Sequence, residues 1–169
     1  LAGLTRFWTI SSNITSIDLT EATSLTNVHL GNNDLSVLDI STLPNLTRIT
    51  VGGSELTTLD ITNNPLLNNV NLVNNSFDST ELNGIVNQLD TFGVSNGILS
   101  ISGNSDLTSG AQPSYDNLIG KGWTIDVSAP QPPVTTTITL VTNSTSGTWT
   151  PQDIINSGEV LTWEATGSS

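Results

Sequence analysis

The chain lacks most of the side chains that enzymes and metalloproteins use. Its 169 residues include no cysteine and a single histidine, His29. A zinc site, or a nucleophile with its base, needs more than one such side chain, so the sequence offers neither. No cofactor and no metal are expected, and only an unrecognised pair of acidic residues leaves catalysis open. We therefore predict that the protein is not an enzyme and has no catalytic residue.

Positive charge is equally scarce. Arg6, Arg48 and Lys121 are the three basic residues against 15 acidic ones, which gives a net charge of −12. A chain with this charge repels nucleic acid and anionic lipid, so neither is expected as a partner. It has no run of about 20 apolar residues, so direct membrane insertion is not expected. Because charged residues make up 11% of the chain, Thr, Ser and Asn must supply its surface, as is common in extracellular bacterial modules.

What the sequence does contain is a repeat with a constant offset between its copies. One set of segments reads ITSIDL from Ile14, LSVLDI from Leu35 and LTTLDI from Leu56. A second set at the same offset reads LTNVHLGNN from Leu25, LTRITVGGS from Leu46 and LNNVNLVNN from Leu67. Both sets thus share a 21-residue period, and a fixed period of this length is typical of solenoid proteins.

Each L-x-x-L-x-L segment predicts a short strand with one buried face, because its last three positions alternate apolar, outward and apolar. We therefore expect two short strands in every 21-residue turn, with turns stacked about 4.8 Å apart around an aliphatic core. Leu38 and Leu59 should be buried in adjacent turns. Asn33 and Asn75 should bond backbone groups where the chain leaves a strand. A weaker copy of the strand precedes the first repeat, at Trp8, Ile10 and Asn13.

The pattern resembles the bacterial leucine-rich repeats with a 21-residue period, L-x-x-L-D-L-S-x-N-x-x-L-x-x-L-x-C/L-x-x-N. Three copies in register cover about residues 14–77, with Leu30, Val51 and Leu72 where that family commonly has Cys. The resemblance implies a mainly β leucine-rich-repeat solenoid and a role in recognition and adhesion. Such repeats are abundant in surface and secreted proteins of Bacteroidota. The segment SDLTSGAQPSYDNLIGKGWTI is similar to the closing segment of repeat proteins in flavobacteria and their phages.

We expect leucine-rich repeats over residues 1–77 and an α/β C-terminal cap of the solenoid over residues 78–127. In the cap, Asp78 or Ser79 should begin a helix that buries Leu82, Ile85, Val86 and Leu89. A second helix is predicted over residues 110–119, with Ser109 and Gln112 in capping-box spacing. Trp123 and Ile125 should lie in a last strand.

Two further segments complete the predicted organisation. We expect residues 128–134 to form a Pro-rich linker. Residues 135–169 are expected to form an incomplete β module with too little chain to cover its apolar faces. These faces carry the predicted self-assembly residues Ile138, Leu140, Leu161 and Trp163. The 169 residues are accordingly interpreted as a piece of a larger protein, or as one unit of a tandem array.

Outward positions of the repeated strands form the predicted ligand-binding face. Its candidate residues are Asn27, His29, Arg48, Thr50, Asn69 and Asn71. Either Trp8 or Thr9 is expected at the N-terminal edge of this face. No aromatic cluster that would favour sugar stacking is expected there, because Trp123, Trp149 and Trp163 come late in the chain and should be packed.

A second column, Asp18, Asp39 and Asp60, has two interpretations. The carboxylates either accept hydrogen bonds from the turn that follows each of them or attract cations. A single column supplies fewer oxygens than the six to eight of a hard-cation site, so no metal is assigned.

Two functions remain open for such a chain. The first is an extracellular binding or adhesion module that recognises a glycan or protein through its polar strand face. The alternative is a structural unit of a self-assembling filament, fibre or phage appendage. The expected partners are thus a protein or glycan ligand or copies of the chain itself. The expected location is extracellular, at the cell surface or at a virion surface.

Overall fold

A computed structural model describes residues 3–127 and 129–130. These residues contain an open, six-stranded parallel sheet whose strands lie side by side in chain order. The strands are β1 (Arg6–Trp8), β2 (Asn27–His29), β3 (Arg48–Thr50), β4 (Asn69–Asn71), β5 (Ile98–Ser100) and β6 (Thr124–Ile125). Helix α1 (Ser79–Thr91) lies between β4 and β5 in the chain. A 3₁₀ turn (Ser109–Ala111) and helix α2 (Gln112–Gly120) lie between β5 and β6.

Each of the first three turns of chain adds one strand in the same register. Arg6 pairs with Asn27, Asn27 with Arg48, and Arg48 with Asn69, so each pairing spans one repeat of the sequence. The next pair, Asn69 and Ile98, spans a longer stretch of chain because α1 occupies the intervening turn. Parallel strands joined by single turns of chain give a solenoid-like architecture.

The core consists of apolar columns that run through successive turns. Val28, Ile49, Val70 and Leu99, the central residues of β2 to β5, are all buried. Leu38 and Leu59 are also buried, as predicted. Within the part of the chain that the structure describes, no helix is long and apolar enough to cross a membrane.

The second predicted strand of each turn does not form. Segments 14–19, 35–40 and 56–61 bury apolar side chains but contain no strand. Adjacent segments share one backbone hydrogen bond at their start, such as Asp34 N–H to the Ile14 carbonyl at 2.9 Å. The chain then closes a tight turn, in which Ala22 N–H donates to the Leu19 carbonyl. A β-strand needs several successive backbone hydrogen bonds to the same adjacent segment. The chain turns away too early to form them, so no second strand is present in these segments.

The weak first copy is shifted by one residue from its predicted position. Phe7, and not Trp8, is the residue of β1 that aligns with buried Val28. Trp8 aligns with His29 and is 72% exposed, and Ile10 is exposed as well. The outward alternative for Trp8, at the N-terminal edge of the strand face, is therefore the correct one.

Asparagine side chains close the end of the strands, as predicted. Asn33 Nδ2 donates to the Leu30 carbonyl at 2.9 Å and to the Thr9 carbonyl of the preceding turn at 3.3 Å. Its Oδ1 accepts from Ser12 N–H at 3.1 Å. Asn75 Nδ2 likewise donates to the Leu72 carbonyl at 3.0 Å and to the Val51 carbonyl of the preceding turn at 3.1 Å. These bonds satisfy backbone groups that the strands leave unpaired.

Helix α1 confirms its prediction. Asp78 Oδ1 accepts from Glu81 N–H at 2.9 Å and caps the N-terminus. The apolar side of the helix is buried through Leu82, Ile85, Val86 and Leu89.

The predicted start of the second helix is wrong. Ser109 lies inside the 3₁₀ turn, so α2 begins after Ala111, which has no capping side chain. Gln112 Nε2 instead donates to Asp116 Oδ1 at 2.8 Å. Trp123 is buried next to β6, and its indole N–H donates to the Val94 carbonyl at 2.8 Å.

Candidate ligand-binding face

The outward side chains of β1 to β4 form one continuous surface, here named the strand face. The structure brings together all six predicted residues on this face, around an open concavity of about 510 Å³. The predicted residues in its lining are Asn27, His29, Arg48, Thr50, Asn69 and Asn71. Arg6 and Trp8, from β1, line the same concavity. Trp8 was predicted only as an alternative to Thr9 at the edge of the face, and Arg6 was not predicted.

Positive charge is concentrated on the strand face. Arg6 and Arg48 lie in the same outward column, on β1 and β3, and both are exposed. Strands β1 to β6 contain no acidic residue. Within residues 3–127 and 129–130, neither guanidinium has an ion pair or a hydrogen bond. The remaining basic residue, Lys121, is bonded to Asp90 Oδ1 at 2.6 Å. Both unpaired cations of the described region thus lie on one face.

Trp8 stacks on His29 across β1 and β2. Their ring centroids are 4.6 Å apart, with an angle of 20° between the ring planes. The sequence predicted no aromatic cluster on this face, and the Trp8–His29 pair is an aromatic surface that the prediction missed. The signal was present in the sequence, because Leu4 precedes Leu25 by one full repeat and so places Trp8 at the position of His29.

His29 has a lowered pKa. Partial burial disfavours the imidazolium, and the nearby Arg48 guanidinium lowers the pKa further. Since the ordinary pKa of the group is 6.5, His29 is mainly neutral at pH 7. Its ring can then both donate and accept a hydrogen bond.

Gly31 and Gly52 lie in the next outward column, two residues after His29 and Thr50, and neither carries a side chain. A β-carbon at Gly31 would lie 3.2 Å from His29 Nε2. One at Gly52 would lie 2.7 Å from Val73 Cγ2 and 2.9 Å from Asn71 Oδ1. Side chains at these positions would crowd the rings and amides beside them, so the glycines leave the face accessible.

The asparagine side chains of the strand face have NH₂ groups that can donate hydrogen bonds to a ligand. Asn27 Oδ1 accepts from Thr26 Oγ1 at 2.8 Å, and Asn71 Oδ1 accepts from Val73 N–H at 3.3 Å. These bonds fix the two amide planes. In the described part of the chain, the NH₂ groups of Asn27, Asn69 and Asn71 donate to no protein group.

The aspartate column accepts hydrogen bonds from the turn that follows each residue. Asp18 and Asp60 each accept from a threonine hydroxyl at 2.7 Å, and Asp39 accepts from Ser41 N–H at 2.9 Å. These bonds lower the pKa of all three carboxyls, while repulsion from the neighbouring carboxylate partly opposes the effect at Asp39 and Asp60. Among the described residues, no group of three His, Cys, Asp or Glu side chains is placed to hold a metal ion.

The predicted self-assembly residues Ile138, Leu140, Leu161 and Trp163 lie outside the described residues. The same applies to the predicted β module 135–169 and to most of the predicted linker 128–134.

No protein-family model matches the sequence, and no curated protein matches it. Among solved structures, the internalin InlF of Listeria monocytogenes is similar with a TM-score of 0.53 and 21% identity, over 65% of this chain and 30% of the internalin chain. The functional domain of InlJ from the same species, described as including a cysteine ladder, gives a TM-score of 0.45 and 25% identity, over 62% of this chain and 26% of that one. The chain thus spans less than a third of the length of either protein. The similarity to InlF, together with the six-stranded parallel sheet, shows a solenoid-like leucine-rich-repeat fold for this chain.

Proposed function

We propose that the chain is the ligand-recognition part of an extracellular binding or adhesion protein, and that the strand face contacts the ligand, a protein or a glycan. One observation carries the proposal. Both arginines, unpaired in the described region, line a single concavity with an exposed tryptophan and with asparagine NH₂ groups that donate to no protein group there. Tryptophan and arginine are enriched at binding surfaces.

The proposal includes no catalysis. His29 is the single histidine, and it lies between Trp8 and Arg48 without a carboxylate beside it on the strands. An extracellular location is supported by the polar, weakly charged composition of the chain and by its resemblance to surface repeat proteins.

Binding by variants of the full chain tests the role of the strand face. The wild type is screened against arrays of glycans and of extracellular protein domains, and ligands that it binds are re-measured with Trp8→Ala and Arg48→Glu. We expect both substitutions to weaken binding at least tenfold, since buried aromatic and arginine contacts dominate most interfaces. Val37→Ala is the matched control, because Val37 is 73% exposed and lies outside the strands. Binding that survives both face substitutions would contradict the proposal.

The same samples test the structural alternative, a subunit of a filament, fibre or phage appendage. Sedimentation of the wild type over a wide concentration range would then show growth beyond small oligomers. A binding module is expected to stay at a fixed, small size without its ligand.

A further inference from the structure

The two arginines of the strand face are spaced for a ligand with more than one anionic group. Arg6 and Arg48 lie in one column with Asn27 between them. Neighbouring strands are about 4.8 Å apart, so the two backbones are separated by about 10 Å. The arginine fork binds carboxylate or sulfate oxygens through two parallel hydrogen bonds. The column thus offers two anion-binding groups with a polar amide between them.

Trp8 offers a flat apolar surface beside these cations. Trp8 is 72% exposed, and its ring stacks on that of His29. A rigid aromatic ring gives a large contact area at a small cost in conformational entropy. Such a surface fits the C–H face of a sugar ring, whose opposite edge carries the hydroxyl groups.

The remaining side chains of the face suit hydroxyl groups. The amides of Asn27, Asn69 and Asn71 and the hydroxyl of Thr50 each combine donor and acceptor capacity. Sugar hydroxyls also both donate and accept. The low column at Gly31 and Gly52 leaves room for a chain to lie across the strands.

From this combination we infer that the ligand of the strand face is an acidic oligosaccharide, a short sugar chain carrying carboxylate or sulfate groups. The inference rests on the proposed function of that face. Net repulsion from a chain of charge −12 favours a short ligand over a long polyanion. The concavity of about 510 Å³ also lies in the range of small-ligand sites.

An acidic peptide is the competing ligand, and the sheet favours it less. One common way for a peptide to gain affinity is to add its backbone to a free strand edge. Strands β2, β3 and β4, which carry most of the face, are already paired on both sides. A sugar chain needs no backbone partner, so the pairing of these strands on both sides does not hinder its binding.

Calorimetric titration of the full chain with four probes of similar length tests the inference. The probes are an oligosaccharide of alternating glucuronic acid and N-acetylglucosamine, a sulfated oligosaccharide without carboxylates, a neutral oligosaccharide of N-acetylglucosamine and a glutamate-rich peptide. The first two separate carboxylate from sulfate as the preferred anion. We expect at least one acidic sugar to bind ten times more tightly than the neutral one. Arg6→Gln, Arg48→Gln and Trp8→Ala should each weaken that binding about tenfold or more.

Asp39→Asn is the matched control for charge. It changes the net charge by one unit, as Arg48→Gln does, but it lies outside the strand face. We expect Asp39→Asn to bind the acidic sugar within about twofold of wild type. If net charge alone determined the affinity, Asp39→Asn would strengthen binding by as much as Arg48→Gln weakens it. Circular dichroism of each variant checks that the fold is retained, and Trp8→Phe provides a second, more conservative change of the ring.

Several outcomes would overturn the inference. They are failure of both acidic sugars to bind, equal affinity for the neutral sugar or the glutamate-rich peptide, and no effect of Arg48→Gln. If another ligand binds and Trp8→Ala weakens it while Arg48→Gln does not, the acidic-sugar inference fails and the proposed function stands. If binding of every ligand is insensitive to all strand-face substitutions, both fail.

Discussion

Single side chains determine whether the backbone carbonyl groups at the end of each strand have hydrogen-bond partners. Asn33 and Asn75 bond carbonyl groups where the chain leaves β2 and β4. Ser54 occupies the equivalent place between them, and its Oγ is buried without a hydrogen-bond partner. A buried, unpaired polar group costs about 1–3 kcal/mol. The turn after β3 is therefore a weak point of the asparagine column.

Ser54→Asn should remove this weak point. By analogy with the neighbouring turns, the new amide would donate to the Val51 and Leu30 carbonyls. The free energy of unfolding should rise by about 1–2 kcal/mol, measured by urea denaturation. Ser54→Ala, which only deletes the hydroxyl, should have a smaller effect. A lower stability for Ser54→Asn would show that the turn after β3 has a different geometry.

The buried aliphatic columns give a second prediction at this scale. Leu59 is 3% exposed and lies in the core, so Leu59→Ala should cost about 2–5 kcal/mol of unfolding free energy. Val37→Ala, at a position 73% exposed, should change it by less than about 0.5 kcal/mol. A loss below about 1 kcal/mol for Leu59→Ala would contradict the observed packing.

Among the elements, helix α1 is stabilised by one capping side chain at its N-terminus, Asp78. Asp78→Ala removes the bond to Glu81 N–H and should cost about 1 kcal/mol. Asp78→Asn keeps an oxygen acceptor in the same place and should stay near wild type. Thermal unfolding followed by circular dichroism measures both variants. An equal loss in Asp78→Asn would show that the charge, and not the cap, stabilises the helix.

The elements that sequence reasoning located are those with a strong period. Strands β2, β3 and β4 repeat one pattern, and α1 places its apolar residues on one side. The first turn was misplaced because Thr9 occupies the position where later turns have Leu30 or Val51. Without an apolar residue at that position, the alternation of Trp8 and Ile10 predicts inward positions that are one residue too late. The second strand of each turn was overpredicted because apolar alternation reports burial, and burial alone does not require a paired backbone.

The same logic explains how much of the strand face could be predicted. Outward residues of paired strands at a constant offset must be neighbours, so its six predicted residues follow from the period. The contributions of Arg6 and Trp8 depend on the position of β1, which the weak first copy concealed. The low column at Gly31 and Gly52 depends on side chains of other residues and turns, such as His29, Asn71 and Val73, and sequence spacing does not report these contacts.

For the whole molecule, the aspartate column couples stability to pH. Hydrogen bonds lower the pKa of Asp18, Asp39 and Asp60 below the ordinary 3.8. The unfolded chain then binds protons more readily, so the stabilisation is present above about pH 4 and is lost as the pH falls through the lower folded values. Thr20→Val removes the hydroxyl that bonds Asp18. We expect this variant to lose less stability between about pH 5 and pH 2 than the wild type does, and an identical loss would contradict the role of this bond.

Salt acts on the whole charge distribution. Three basic residues against 15 acidic ones make the folded chain repel itself, and the aspartate column adds a local row of like charges. Screening by NaCl should therefore raise the melting temperature gradually, since the Debye length falls from about 10 Å at 0.1 M to about 3 Å at 1 M.

Millimolar CaCl₂ should add nothing beyond its ionic strength, because Asp18, Asp39 and Asp60 already accept bonds from their own turns and a hard cation needs six to eight oxygens. Melting curves at matched ionic strength in the two salts measure the difference. A calcium-specific increase that Asp39→Asn abolishes would show that this column binds the ion.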